Sequence, residues 1–294
     1  MRSITAITLF FLTVLSATAS HATYTWTPLE TGNYLYGIDG ANIVGSYTDS
    51  SGTSHGTLYD GSTWNTLDHP GAIDTQLRGI DGANMVGYYW DYSGYHGTLY
   101  DGSTWNTLDH PGATNTYLFT IDGASIVGSY TDSSGYHGSH YDGSTWNTFD
   151  YPGATNTFLH GIDGANIVGS YTDSSGTSHG SLYDGSSWHT LDPPGATNTY
   201  LTGIDGPNII GWYRDSSGTR HGTHYDGTSW TTLDYPNMPY TVLYGIDGAN
   251  MVGYYWDSSG IHGFMVTATS PVPEPATLLL ALFGLSLLPR RRRR

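Results

Sequence analysis

The chain has 294 residues with 25 acidic side chains, nine arginines, no lysine and no cysteine, for a formal net charge of −16. Without cysteine it can form no disulfide and offers no thiolate to a metal or a substrate. Setting aside both ends leaves 24 acidic residues against three arginines, a field that disfavours nucleic acid and anionic lipid headgroups as partners.

Residues 1–22 read MRSITAITLFFLTVLSATASHA. One early charge at Arg2, an apolar stretch over residues 4–15 and then small residues occur in the order of a secretory signal, with small-x-small exits at Ala17-Thr18-Ala19 and Ser20-His21-Ala22. The mature chain is expected to begin near residue 23 and to lie outside the cytoplasm, so packing and hydrogen bonds must hold it together without disulfides.

From Gly37 the chain is self-similar, beginning GIDGANIVGSYTDSSGTSHGTLYDGSTWNTLDHPGA. Ile-Asp-Gly recurs at Asp39, Asp81, Asp122, Asp163, Asp205 and Asp247, 41 or 42 residues apart. His-Gly recurs at His55, His96, His137, His179, His221 and His262. A Tyr-Asp-Gly with a tryptophan five residues later recurs at Tyr59, Tyr100, Tyr141, Tyr183 and Tyr225. Each unit reads as four short strands: L-x-G-I-D, N-I-V-G-S-Y-T-D, H-G-T-L-Y and T-W-N-T-L-D. Asp-Gly and Ser-Ser-Gly between apolar or aromatic runs are hairpin signals. The single-residue length differences fall in the Ser-Ser-Gly turn, where a strand register would not be upset. Segments such as residues 109–117, D-H-P-G-A-T-N-T-Y, link one unit to the next. Forty glycines and 25 tyrosines fit this strand-and-turn reading.

Four-stranded units of this length imply an all-β, six-bladed β-propeller, with a β-solenoid as the competing architecture. The chain's ends favour the propeller. T-Y-T-W-T-P-L-E from Thr23 to Glu30 matches the last strand of a unit, with Trp26 in the tryptophan position, and the unit from Gly245 stops before its own tryptophan strand. The N-terminal strand is therefore expected to complete the sixth blade and close the ring. The pattern G-I-D-G-A-N-I-V-G-S-Y-T-D-S-S-G-T-S-H-G resembles the bacterial extracellular HAF repeat, in which a His-Ala-Phe or His-Gly-Phe triplet follows a G-x-I-V-G-x-Y strand. Here the triplet is H-G-T, H-G-S or, at His262, H-G-F. The resemblance spans nearly all of residues 31–265 and implies no particular activity.

The recurring histidines are read as ties between a hairpin and its neighbouring strand, and the Ile-Asp-Gly aspartates as turn residues. No cofactor is implied. An acidic extracellular chain is compatible with weak calcium binding, but no segment has the spacing of a strong calcium loop. Nor is an enzyme implied: glutamate occurs only at Glu30 and Glu274, and no nucleophile or paired-carboxylate motif is present. The units differ most in the second strand, where Tyr88 and Trp90, Trp212 and Arg214, and Tyr254 and Trp256 replace Ser-x-Thr pairs. These six residues form a candidate glycan-binding face, through ring contacts with sugar C–H groups; the competing role for them is to fill gaps between blades. The expected function is a non-catalytic binding or scaffold protein of the extracellular polysaccharide matrix. The alternative is a polysaccharide-degrading lyase or hydrolase on the same scaffold.

The chain ends V-P-E-P, a thirteen-residue apolar run over residues 276–288 and five arginines. That run is shorter than the roughly 20 residues an ordinary membrane-spanning helix needs. The tail resembles the PEP-CTERM sorting signal: Pro273, Glu274 and Pro275 match its triplet, and Arg290, Arg291 and Arg292 with the two arginines after them match its basic end. The resemblance implies an exosortase-like membrane enzyme as processing partner, transient insertion in the inner membrane with the arginines inside, and an extracellular or cell-surface destination. The expected organisation is a signal peptide at 1–22, the propeller at 23–268 and the sorting segment at 269–294.

Overall fold

Each Asp-Gly dipeptide returns the chain on itself. Gly40, after Asp39, has φ 57°, a left-handed conformation that glycine adopts without steric cost. In the computed structural model, which describes residues 23–238 and 240–269, these turns divide the chain into six four-stranded antiparallel sheets. Blade one consists of Asn33–Asp39, Asn42–Thr48, Ser54–Tyr59 and Trp64–Thr66, running from the axis outward. Blades two to five repeat this order. Blade six pairs Thr241–Asp247, Asn250–Asp257 and Gly260–Thr269 with the N-terminal strand Thr23–Thr31 as its outermost member. The protein is a six-bladed β-propeller whose ring is closed by its first strand.

Two details depart from the sequence reading. The fourth strand is short, three residues in blades one to five, as in Trp64–Thr66, although Leu67 N–H still donates to Gly56 O at 2.9 Å. The linker read over residues 109–117 ends sooner, because the innermost strand of blade three is Asn115–Asp122. The length differences do fall in the second hairpin. Asp49 N–H donates to Thr53 O around the three residues Ser50, Ser51 and Gly52, whereas Asp91 pairs directly with Gly94 around Tyr92 and Ser93.

The core lies in the seams between blades. Val44 of blade one packs with Leu77, Ile80 and Met85 of blade two, and Val252 of blade six packs with Leu35, Ile38 and Ile43 of blade one. The closing seam therefore uses the same residue set as the others. Fully burying one such aliphatic side chain contributes about 1.5–3 kcal/mol, several times the net worth of an exposed hydrogen bond. The seams dominate stability.

Polar ties complete each blade. His55 Nδ1 lies 2.8 Å from Asp68 Oδ2, joining the third strand to the end of the fourth, and Asp68 Oδ1 accepts Gly56 N–H at 3.0 Å. The pair recurs at His96–Asp109, His137–Asp150, His179–Asp192 and His221–Asp234. Residues Thr25–Thr267 make one compact unit, and the described ends beyond it, residues 23–24 and 268–269, belong to another. Among the described residues no helix is long and apolar enough to cross a membrane. The signal peptide, the apolar run over 276–288, Pro273, Glu274, Pro275 and Arg290, Arg291 and Arg292 all lie outside the described residues.

Candidate functional site

Six innermost strands meet around the axis, and in every one the pairing with the second strand slips by a residue between the leucine and the residue two places on, as between Leu77 and Gly79. A bulge of this kind re-aims the residue it skips. The skipped residues are Tyr36, Arg78, Phe119, His160, Thr202 and Tyr244, and with Thr120 they surround a constriction of about 20 Å³. The repeat is otherwise near-uniform, yet five different residue types occupy this one position.

On one side of the constriction the six Ile-Asp-Gly segments line a cavity of about 200 Å³. The aspartates do more than turn the chain. Asp39 Oδ2 accepts Gly82 N–H of the next blade at 2.7 Å, and equivalent bonds of 2.6–2.7 Å run on through Asp81, Asp122, Asp163, Asp205 and Asp247 back to Gly40. Each blade is thus latched to the next at the axis. This mouth is symmetric and ringed by carboxylates.

On the other side the symmetry breaks. A cavity of about 450 Å³ opens over blades two to five, a size typical of small-molecule sites. Ser129 and Ser170 line it at the second-strand position that carries Tyr88, Trp212 and Tyr254 in blades two, five and six. Around it runs a chain of rings: Tyr95 to Tyr117 at 5.3 Å between centroids, Tyr117 to Tyr136 at 6.5 Å and Tyr136 to Phe158 at 5.0 Å. Tyr95 and Tyr136 are 37% and 40% exposed and form the rim. Deeper in, burial pushes the Tyr117 hydroxyl up to about 12, so it remains a neutral donor.

The polar groups are few. Arg78 Nη2 donates to Gln76 Oε1 at 2.8 Å and to the Tyr88 hydroxyl at 2.5 Å, and that hydroxyl donates to Gln76 Oε1 at 2.8 Å. The guanidinium carbon lies 3.8 Å from the centre of the Tyr36 ring, a cation–π arrangement. Burial, helped by the charge of Arg78, holds His160 down to about 3, so its imidazole is neutral at any ordinary pH. Ser129 Oγ is buried with no hydrogen-bond partner. Among the described residues no aspartate or glutamate lines the cavity.

The six second-strand residues singled out from sequence do not meet on one patch. Tyr88 lines the cavity. Tyr254, 6% exposed, lies in a packed cluster with Tyr36 and Val242, against which Trp212 and Trp256 also pack. Arg220 lies over both tryptophans, 4.9 Å from Trp212 and 5.5 Å from Trp256. Trp90 sits beside Tyr92, outside the cavity. Arg214 contributes its carbonyl, which accepts Thr197 N–H at 2.7 Å. The cavity's own residues come mostly from the position three before each bulge-flanking Gly or Thr, as Gln76, Tyr117, Phe158 and Tyr200 do, and from the bulge itself. Their variation between units is visible in the sequence. What the sequence does not show is that these two positions face the axis.

No protein-family model and no curated protein matches the chain. Among solved structures, a lectin of Aleuria aurantia, described as a six-bladed β-propeller with a novel fucose recognition mode, superposes with a TM-score of 0.52 at 12% identity, over 87% of this chain and 97% of that one. A mutant of that lectin in complex with alpha-methyl-L-fucoside gives 0.50 at 14% identity, over 85% and 99%. TolB from Acinetobacter baumannii gives 0.55 at 14% identity, over 82% and 64%. At these identities the likeness shows the fold alone.

Proposed function

We propose that the protein is an exported, non-catalytic carbohydrate-binding propeller of the extracellular polysaccharide matrix, released by exosortase-type processing near Pro273-Glu274-Pro275, and that the sugar sits in the aromatic cavity. The observation that carries this reading is the lining of that cavity: tyrosine and phenylalanine rings with a few fixed polar groups. Rings of this kind offer apolar faces to sugar C–H groups while hydroxyls and amides orient the ring substituents. A lectin in Aleuria aurantia uses the same architecture, which agrees with the reading without carrying it. The matrix and sorting parts rest on the tail motif.

The enzymatic alternative is weaker at this cavity. Glycoside hydrolysis needs two carboxyl groups flanking the scissile bond, and none among the described residues lines the cavity. His160, held neutral with a pKa of about 3, is a poor general base.

A glycan array on the processed protein, followed by calorimetry on any hit, tests the binding. Ser129→Tyr and Ser170→Tyr refill the space with a residue that blades two and six already hold at this position. Both should fold normally and weaken sugar binding at least about tenfold. Undiminished binding would place the site elsewhere, and release of cut product from a bound polysaccharide would make the protein an enzyme. Deleting Pro273 to Pro275 should abolish C-terminal processing; an unchanged mature mass would remove the sorting reading.

A further inference from the structure

We propose that the bound sugar carries a carboxylate, as a uronic acid residue does, and that Arg78 receives it; this rests on the carbohydrate reading above. The chain has no lysine, and the described residues hold three arginines: Arg78, Arg214 and Arg220. Arg220 is occupied between Trp212 and Trp256, and neither it nor Arg214 lines the cavity. Among the described residues Arg78 is the cavity's single cation, in a protein otherwise dominated by carboxylates.

Those carboxylates leave Arg78 alone. Among the described residues no aspartate or glutamate comes within ion-pairing distance of it. Its hydrogen bonds go to two neutral acceptors, the Gln76 amide oxygen and the Tyr88 hydroxyl. Its Nε is shielded from water and has no partner. A guanidinium has five N–H donors, and withdrawing it from water without a counter-ion is costly. The faces of Tyr36 and Tyr88, 3.8 and 5.1 Å from its carbon, offset part of that cost and supply no acceptor for the N–H edge. The arrangement is a cation held in place with bonding capacity unused.

Its surroundings select the missing partner. Gln76 and Tyr88 fix the guanidinium through Nη2, which leaves the Nη1 N–H groups to donate charge-assisted hydrogen bonds to a carboxylate. The mouth ringed by Asp39 and its five equivalents repels an anion. The aromatic mouth, lined by no carboxylate among the described residues, admits one, and its rings would hold the sugar body that brings the anion in. The neutral His160 adds no competing charge and leaves Arg78 as the deciding group.

The test is calorimetry of the full processed protein with short galacturonate and glucuronate oligosaccharides, each paired with its methyl ester. The ester keeps the sugar's shape and removes the charge. The free acids should bind at least about tenfold more tightly than the esters, and in Arg78→Gln this acid-to-ester ratio should fall to about one. The acid–ester comparison needs no variant, so it stands even if Arg78→Gln fails to fold. Equal affinity for acid and ester would overturn the proposal, and so would acetate or inorganic phosphate binding as tightly as the uronate. If neutral sugars bind, Ser129→Tyr blocks them and uronates do not bind, the carboxylate is refuted while the carbohydrate reading survives. If no sugar of any kind binds, the carbohydrate reading itself falls.

Discussion

At the scale of single residues, the near-invariant glycine of the I-V-G strand shows how much a repeat can display without explaining. Gly128 pairs with Leu118 just before the bulge, and there the first strand is so close that a Cβ on Gly128 would lie 2.0 Å from the Tyr117 carbonyl oxygen. The backbone cannot accommodate this without moving. Gly128→Ala should cost at least about 1–3 kcal/mol, read as a fall in the urea midpoint with an unchanged slope. An unchanged midpoint would mean that the strands are not so closely apposed. The recurrence of this glycine is plain from the sequence; its cause, the bulge that aims Arg78 and its equivalents at the axis, is not. The histidines are a different case. His-Gly and the later Leu-Asp or Phe-Asp recur together, and thirteen residues separate His55 from Asp68 just as they separate His137 from Asp150. A short-range tie is therefore legible in the spacing of the repeat alone.

At the scale of elements, the closing strand is the most consequential piece. Thr23–Thr31 occupies the place that Trp64–Thr66 holds in blade one, but with nine residues in place of three. Without it the strand Gly260–Thr269 would present a long unpaired edge, and Leu29 would leave the seam formed by Leu35, Ile38 and Val252. Exposed edges pair with other chains. Removing residues 23–31 should therefore lower the unfolding temperature and produce oligomers on size-exclusion chromatography; a monomer of unchanged stability would show that closure is dispensable. The missing tryptophan strand of the last unit makes this closure legible. The start of the innermost strands is less so, because Asn115 and Thr116 carry turn-like composition and become strand only by pairing with Thr131 and Tyr130.

At the scale of the whole molecule, two sets of histidines pull stability in opposite directions with pH. Hydrogen bonds to Asp68, Asp150 and Asp192 raise His55, His137 and His179 above 6.5. In His221 burial opposes the rise, and Asp234 and Asp215 outweigh it. These four stabilise the fold fully below 6.5, and their contribution is lost as pH climbs through their raised values. Burial lowers His69, His110, His140, His160 and His224. Their contribution is full above 6.5 and is lost as pH falls toward their lowered values. The melting temperature should therefore peak near pH 6.5 when scanned from about pH 4 to 9, and a monotonic profile would show that one set is inert. The sequence by itself determined the blades, their number and the way the ring closes, because hairpin signals act over a few residues and the repeat states them six times. Only the tertiary structure decided where a ligand fits. The cavity is assembled from side chains that successive blades bring together, several of them aimed inward by bulges, and Ser129 and Ser170 leave room in it. That space is set by what neighbouring blades bring to the axis, and no local run of residues encodes it.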